Sequence, residues 1–287
     1  MADRVDVLKT YKTYVGGAFP RSESGRTYKV YGKNDQLLAN ACRCSRKDIR
    51  DAVEASRAAF SGWKSLSAHH RGQILYRISE MLEGRKEQFV EELIKSGISK
   101  KQSRMEVDAA IDRFIYFAGW TDKYAQIYGS INPVASDHFN FSYPEPIGIL
   151  AVIPPETSRL IGPVSMIAPA IAGGNTLVML ASQTHPLAAI TLGEVLHVSD
   201  LPAGVVNILS GYRDELIPVL TSHMDVNAIW NSVEKQEVMK QIDENAALNI
   251  KRVVHTEQDD WLDPRHENPY SIVQFQEIKT TWHPSGY

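Results

Sequence analysis

Cysteine is scarce in this sequence: Cys42 and Cys44 are the only two among 287 residues. The pattern around them predicts an extended segment, where side chains two residues apart share a face but lie too far apart for easy bridging. A single Cys-x-Cys without a nearby histidine or third cysteine is also a weak metal signal. We therefore expect two semi-buried structural cysteines and no disulfide.

Excess charge and long apolar runs are missing too. Lys and Arg total 31 against 34 for Asp and Glu, a net charge of −3, and no basic block suggests a nucleic-acid partner. No segment approaches the roughly 18 apolar residues of a membrane span, and the first residues lack a signal-peptide pattern. We expect a cytoplasmic protein that binds neither nucleic acid nor membrane.

Histidine clusters are also lacking. The sequence has nine histidines, but no predicted helix carries a His-x-x-x-His spacing. We expect surface or packing roles for these residues and predict no metal site.

The first third of the chain has mainly helical patterns. Ser45 and Asp48 have the spacing of a capping box, which predicts a helix that starts just after Ser45. Apolar residues at helical spacing predict three further helices, at 71–82, 88–94 and 106–124. A short strand pair is predicted before them, at 14–19 and 27–30.

From Gly148 onward, short apolar runs rich in β-branched residues alternate with helix-length segments. The predicted strands are 148–153, 176–180, 205–209, 226–230 and 252–254. The helices predicted between them are 160–172, 186–198, 214–222 and 234–247. Such repeats form parallel sheets that are buried on both faces. The predicted fold class is α/β with a doubly wound, Rossmann-like parallel sheet.

The last residues have a different pattern. Residues 259–269 are polar and contain prolines, which indicates a connector. Residues 272–282 predict an extended segment with Ile278, Thr280 and Trp282 on one face. A terminal strand of this kind needs another strand edge to pair with.

Several segments resemble the aldehyde dehydrogenase superfamily and occur in that family's order. They are Ala52-Val-Glu-Ala-Ser-Arg-Ala-Ala-Phe60, Tyr116-Phe-Ala-Gly-Trp120, Glu145-Pro-Ile-Gly148, Ile167-Ala-Pro-Ala-Ile-Ala-Gly-Gly-Asn-Thr176 and Leu201-Pro-Ala-Gly-Val-Val-Asn207. Gln276-Glu-Ile-Lys-Thr-Thr-Trp282 resembles the family's C-terminal oligomerisation strand. The chain also resembles the truncated second module of the two-module family-16 aldehyde dehydrogenases.

The resemblance implies three lobes: one that binds NAD(P), a catalytic lobe and a small oligomerisation lobe. It places residues 1–258 in an NAD(P)-lobe-like domain, with 131–147 as an oligomerisation hairpin. Residues 259–287 would be a connector and the C-terminal oligomerisation strand. No segment resembles the catalytic lobe, so we expect this lobe to be absent.

Aldehyde oxidation in this family needs a cysteine nucleophile, an amide that holds the oxyanion and a carboxylate base. No cysteine follows Cys44. The family's Pro-Trp-Asn-Phe-Pro turn aligns with residues 155–158, where Thr157 replaces the amide. Glu257 is one position away from the family's base and would point to the other side of a strand. We therefore expect no catalytic residues.

The cofactor contacts implied by the resemblance are weakened as well. The family's Lys-Pro-Ser-Glu, which contacts the adenosine ribose, aligns with Leu180-Ala-Ser-Gln183. The turn near the pyrophosphate aligns with residues 231–234, where a glycine is lost and Glu234 adds negative charge. The remaining candidates for vestigial cofactor contacts are Pro155, Ser182, Gln183 and Ser232. We expect no NAD(P) binding of ordinary affinity, although residual binding stays open.

Three functional hypotheses fit these observations. The first is a pseudoenzyme that acts as a structural or regulatory subunit, as a homo-oligomer or together with a catalytic aldehyde dehydrogenase. The second is a nucleotide-binding regulatory module. The third is the cofactor-lobe half of a split NAD(P)-dependent aldehyde dehydrogenase, whose catalytic lobe another chain would supply.

Overall fold

A small sheet and five helices form the N-terminal part of a computed structural model that describes residues 7–257 and 260–285. Strands β1 (Thr10–Tyr11), β2 (Thr27–Tyr31) and β3 (Leu37–Cys42) pair in the order β1-β3-β2. The helices are α1 (Arg46–Ser65), α2 (Ala68–Glu83), α3 (Lys86–Lys95), α4 (Lys100–Trp120) and the short α5 (Tyr124–Tyr128). The predicted capping box is confirmed, since the backbone N–H of Ser45 donates to Asp48 at 2.7 Å.

The predicted strand at 14–19 is wrong. Tyr14 makes a single bridge to Ile208, and Val15 pairs with Ala18 across a tight turn. The two residues inside this turn are Gly16 and Gly17, with φ values of 59° and 73°. Glycine adopts positive φ without steric cost, so the Gly-Gly pair marks a reversal of the chain rather than the middle of a strand.

A hairpin precedes the large sheet. It consists of β4 (Ser130–Asn132) and β5 (His138–Pro146), which pair in antiparallel fashion. This hairpin lies within the range 131–147 expected from the sequence, except that β4 begins one residue earlier. The predicted domain boundary at 258/259 lies outside the described residues.

The large sheet is parallel throughout. Its strands are β6 (Ile149–Ile153), β7 (Thr176–Leu180), β8 (Val206–Leu209), β9 (Ala228–Asn231) and β10 (Arg252–His255), in the order β10-β9-β6-β7-β8. The helices between them are α6 (Ile161–Ala172), α7 (Leu187–His197), α8 (Arg213–Ser222) and α9 (Gln236–Ala247). The predicted α/β class and doubly wound parallel sheet are confirmed.

Alternate residues of β6 pack into different hydrophobic clusters. Leu150 and Val152 belong to a cluster that includes apolar residues of α2, α4, α6 and α7. Ile149 and Ala151 belong to a second cluster, with residues of α1, α8 and α9. Because successive side chains of a strand point to opposite faces, the apolar runs predicted from the sequence are buried on both sides.

The strand order creates a topological switch beside β6. The chain runs from β6 outward to β7 and β8, and then crosses to β9 on the other side of β6. In open α/β sheets, ligands bind outside the carboxyl ends of the strands at such a switch. The residues that follow β6, β7 and β9 are therefore the candidates for a ligand site.

A connector leads from β10 to the last strand and is built into the core. It contains α10 (Tyr270–Val273), so the predicted extended segment at 272–282 begins too early. Ile272 and Phe275 are fully buried, and the Phe275 ring centroid lies 5.0 Å from that of Trp230. Arg113, buried on α4, donates to the backbone carbonyl of Trp261 at 3.3 Å. These contacts fix both ends of the described connector to the lobe.

The last strand, β11 (Gln276–Pro284), pairs with β5, which gives a three-stranded antiparallel sheet in the order β11-β5-β4. Glu145 on β5 fastens this sheet to α1: its Oε2 atom lies 2.6 Å from Lys279 Nζ and 2.8 Å from Lys64 Nζ. Hydrogen bonds from these two lysines lower the pKa of Glu145 to about 2. The carboxylate therefore stays charged over the physiological range.

The connector can be tested by removing the Phe275 ring. Phe275→Ala should lower the free energy of unfolding by about 3–5 kcal/mol, because it leaves a cavity beside Trp230. Tyr270→Ala is the matched control in the same connector, and should lower it by at most about 1 kcal/mol because most of that side chain is exposed. Urea denaturation measures both values. Equal effects of the two substitutions would contradict an anchored connector.

Candidate functional site

A crevice lies outside the carboxyl ends of β6, β7 and β9, at the switch in strand order. Its cavity has a volume of about 290 Å³. The charged residues of its lining are Glu156, Asp214 and Glu234 together with Arg213 and Lys235. Acidic groups thus outnumber basic ones in a place where the α/β fold positions ligands.

The four predicted cofactor residues differ in their positions relative to this crevice. Gln183 and Ser232 line it. Ser182 is buried behind the lining, and its hydroxyl donates a hydrogen bond to Glu156, which lines the crevice. Pro155 follows the last residue of β6 by two positions and packs against α6. The contact is close, since a Cβ atom added at Gly162 would lie 3.1 Å from the Pro155 ring.

Glu156 dominates the geometry of the crevice. Its Oε2 atom accepts hydrogen bonds from Ser182 Oγ at 2.6 Å and from the backbone nitrogen of Gln183 at 3.0 Å. Its Oε1 atom lies 2.7 Å from Arg213 Nε. One carboxylate therefore joins the loop after β6, the loop after β7 and the first turn of α8.

Arg213 is a buried cation, with only 8% of its side chain exposed. Its Nε and Nη2 atoms also donate to the carbonyls of Ala181 and Leu180, at 3.3 and 3.1 Å. Burial lowers the pKa of Arg213, and the charge of Glu156 opposes this effect. A guanidinium keeps its charge even so, which makes a nearby anion necessary.

The Glu156 carboxyl is held in its charged form. Burial raises its pKa, but the charge of Arg213 and the hydrogen bonds from Ser182, Gln183 and Thr184 outweigh burial, so the pKa lies below its ordinary value. At neutral pH the crevice therefore contains a fixed negative charge.

The polar groups of Gln183 are also engaged within the chain. Its side-chain Oε1 accepts a hydrogen bond from the backbone nitrogen of Arg213 at 3.0 Å, at the start of α8. Its backbone N–H donates to Glu156. Two of the predicted cofactor residues, Ser182 and Gln183, thus form part of an internal polar network.

Sequence reasoning missed Glu156 and Arg213. The available signal was the stretch 155–158, where Glu156 stands in place of the tryptophan of the family's turn. This acid follows a buried parallel strand closely, in the region where α/β folds place ligand-binding residues. Arg213 gave no separate signal, because its partner Glu156 lies far away in the sequence.

The candidate reaction groups named from the sequence lie apart. Cys42 and Cys44 are both buried and unpaired, and burial raises the pKa of the Cys44 thiol. Thr157 lines the crevice next to Glu156. Glu257 is exposed after β10. The structure therefore does not bring a thiol and a carboxylate base together at the crevice.

Neither a metal-ligand cluster nor a membrane-spanning helix is present among the described residues. Within residues 7–257 and 260–285, no three His, Cys, Asp or Glu side chains are grouped as metal ligands. In the same ranges, no helix has the length and apolar character needed to cross a bilayer.

Comparison with known proteins decides the family. The profile of the aldehyde dehydrogenase family matches residues 19–256. The chain belongs to the aldehyde dehydrogenase family. Cytosolic aldehyde dehydrogenase 1 from Elephantulus edwardii is 31% identical over 249 residues, and human retinal dehydrogenase 2 is 33% identical over 253 residues.

The fold of this family member agrees with solved structures. It superposes on the NAD⁺ complex of an aldehyde dehydrogenase from Bacillus cereus with a TM-score of 0.83, at 25% sequence identity and over 87% of this chain. The match covers 51% of the Bacillus cereus chain, 49% of the Elephantulus enzyme and 48% of the human enzyme. The chain thus spans about half the length of the relatives it matches.

The ionised state of Glu156 leads to a pH prediction. Its pKa is lowered on folding, so its stabilising effect should be complete above the ordinary value of 4.5 and should be lost as the pH falls further. At pH 7, Glu156→Gln should lower the free energy of unfolding by about 2 kcal/mol, less than for a fully buried pair because 37% of the side chain is exposed.

Urea denaturation of both proteins between pH 3.5 and 7 measures this difference. The gap between wild type and Glu156→Gln should narrow steadily below about pH 4.5. Glu234→Gln, an acid of the same crevice, is the control and should show no comparable gap. A gap that stays constant across this range would contradict a charged Glu156.

Proposed function

We propose that this chain is a non-catalytic subunit of an aldehyde dehydrogenase assembly, and that it associates through the sheet of β4, β5 and β11, here called the association sheet. One observation carries the proposal: large apolar side chains are exposed on this sheet. They are Ile131, Phe139, Ile278 and Trp282, with 73%, 47%, 54% and 57% of their surface exposed. Exposed apolar patches mark interaction surfaces, and this sheet carries exposed apolar groups on each of its two faces.

Apolar groups lie on both faces of the association sheet. On one face, the rings of Phe139, Phe141 and Tyr143 form a ladder, with centroid distances of 5.5 and 5.9 Å between neighbours. The register places Ile278 and Trp282 on the opposite face, because they pair with Pro144 and Asn140 of β5. A partner therefore has apolar surface available on either side.

The edge of β11 provides a second means of association. This nine-residue strand pairs with β5 along one side and forms the end of the sheet. Its other side pairs with no strand among the described residues, although the Gln276 carbonyl there accepts a hydrogen bond from Arg252 Nη1 at 2.7 Å. This edge is a template for a strand from another chain. Affinity would come from backbone hydrogen bonds, and specificity from the apolar side chains beside them.

A catalytic aldehyde dehydrogenase is the partner that we favour over a second copy of this chain. By resemblance, the C-terminal strand of the family completes a sheet in the catalytic region of a neighbouring subunit. Within these 287 residues no segment resembles that region. A second copy would therefore have no equivalent surface to receive the strand. A cytoplasmic location is proposed as well, and the name of the Elephantulus relative supports it.

The association sheet can be tested with paired substitutions. Ile278→Lys combined with Trp282→Lys should weaken binding to an active aldehyde dehydrogenase from the same cells by at least about tenfold, because charges replace two apolar anchors. Leu248→Lys is the control, since Leu248 is exposed at the end of α9, outside this sheet. Light scattering after size-exclusion chromatography measures the complex.

Two results would contradict this proposal. One is a wild-type chain that remains a monomer both alone and with the active enzyme. The other is a complex that survives the double substitution. NADH formation separates two forms of the assembly: a partner that is fully active alone indicates a structural role, and one active only in the mixture indicates a split enzyme.

A nucleotide-binding module is the second candidate, because the crevice lies where the fold binds dinucleotides. The residues present do not suit such a ligand. Glu156 already accepts hydrogen bonds from the groups after β7 that could otherwise donate to a ligand. Asp214 and Glu234 add negative charge to the crevice, which would repel the two phosphates of a dinucleotide. We propose that NAD(P) does not bind there with ordinary affinity.

Calorimetry with NAD, NADP and AMP tests the crevice directly. We expect no heat of binding at ligand concentrations up to about 1 mM, which corresponds to a binding free energy weaker than about −4 kcal/mol. A catalytic aldehyde dehydrogenase serves as the positive control. Saturable binding in the micromolar range would overturn this part of the proposal and favour the regulatory module.

A further inference from the structure

The contacts of Glu156 are those that proteins usually make to a bound anion. Besides Ser182, Gln183 and Arg213, its Oε2 atom lies 3.2 Å from Thr184 Oγ1 and 3.4 Å from the Thr184 backbone nitrogen. Hydroxyl groups, successive backbone N–H groups and a guanidinium thus converge on one carboxylate. Such a set of donors is typical of sites for carboxylate or phosphate ligands.

Two of the donors, Arg213 and Gln183, are held in place by bonds that do not involve Glu156. Arg213 is fixed by the carbonyls of Leu180 and Ala181. Gln183 is fixed by its side-chain bond to the first turn of α8. Glu156 comes from a different loop, the one that follows β6. The donor arrangement therefore belongs to the loop after β7 and to α8, and Glu156 is its occupant.

The charge of Arg213 explains why this site needs an occupant. Its guanidinium is buried at the edge of the sheet, and Glu156 is the carboxylate that lies beside it. A buried charge without a counter-ion is strongly unfavourable. If Glu156 were withdrawn, the same position would attract an external anion.

We propose that Ser182, Gln183, Thr184 and Arg213 form an oxyanion site that the chain fills with its own Glu156. Removal of the Glu156 carboxylate opens this site to a small external oxyanion, either a carboxylate or a phosphate. Asp214 and Glu234 line the same crevice and disfavour a second negative group. The site therefore suits a small anion better than a dinucleotide. This inference is independent of the association sheet.

The experiment is rescue of Glu156→Ala by small anions. The thermal midpoint of this variant should be about 4–8 °C below that of wild type, because Arg213 loses its counter-ion. Sodium formate or phosphate should restore about half of the loss, relative to sodium chloride at equal ionic strength, by binding only the folded state. Wild type should show no such gain, since its site is filled.

The two anions distinguish the source of the ligand. A larger effect of formate assigns the site to carboxylates, and a larger effect of phosphate assigns it to phosphates. Either result supports an oxyanion site. The inference is overturned if both anions raise the midpoint of Glu156→Ala no more than they raise that of wild type.

Two further variants show whether the effect depends on the proposed donors. Glu156→Ala combined with Arg213→Gln should lose the rescue, because the cation is gone. Glu234→Gln, which removes a carboxylate from the same crevice lining, should show neither the loss nor the rescue. If Glu156→Ala does not fold, Glu156→Asp keeps the charge on a shorter side chain. It should give a smaller loss and a smaller rescue.

Discussion

Strands β6 to β9 are buried along their whole length, so the fold depends on apolar residues that cover both faces of the parallel sheet. Helix α6 shares this condition, because all of its residues are buried. A helix that is apolar all round needs a further layer over it. Helices α2 and α4 provide that layer. The predominantly helical first third of the chain is therefore required by the sheet that follows it.

Because the end of α6 is buried, its last backbone carbonyls need hydrogen-bond donors from other parts of the chain. The last carbonyls of a helix have no partner within the helix. Trp63 Nε1 donates to the Ile171 carbonyl at 3.1 Å, and Arg71 Nε donates to the Ala172 carbonyl at 3.3 Å. Gln276 Nε2 donates to the next carbonyl, that of Gly173, at 3.1 Å. Thus β11 begins at a residue that helps to complete the buried core.

The sheet and most of the helices could be predicted from the sequence because their signals are local. Runs such as 176–180 are apolar throughout, and the capping box at Ser45 involves residues three apart. The segment at 14–19 was misassigned because two glycines between apolar residues fit a turn as well as a strand. Ile272 was placed in a strand because a single turn of helix leaves almost no periodic signal.

The position of the crevice could be predicted from the sequence, but the ion pair between Glu156 and Arg213 inside it could not. The family resemblance pointed to Ser182 and Gln183 after β7, and both take part in the polar network of the crevice. The role of Glu156 depends on Arg213, which is far away in sequence and adjacent only after the sheet forms. Pairings of this kind have no fixed spacing, so no pattern in the sequence reports them. The aromatic ladder of β5, in contrast, follows directly from strand alternation.

The described connector has a consequence for protein engineering. The space beside Trp230, on one face of the parallel sheet, is apolar. In this chain Ile272 and Phe275 fill that space, and the carbonyl of Phe275 accepts a hydrogen bond from Asn175 Nδ2 at 3.1 Å. Residues 260–275 could therefore be transplanted to cover the same face of the sheet in an isolated lobe of this fold.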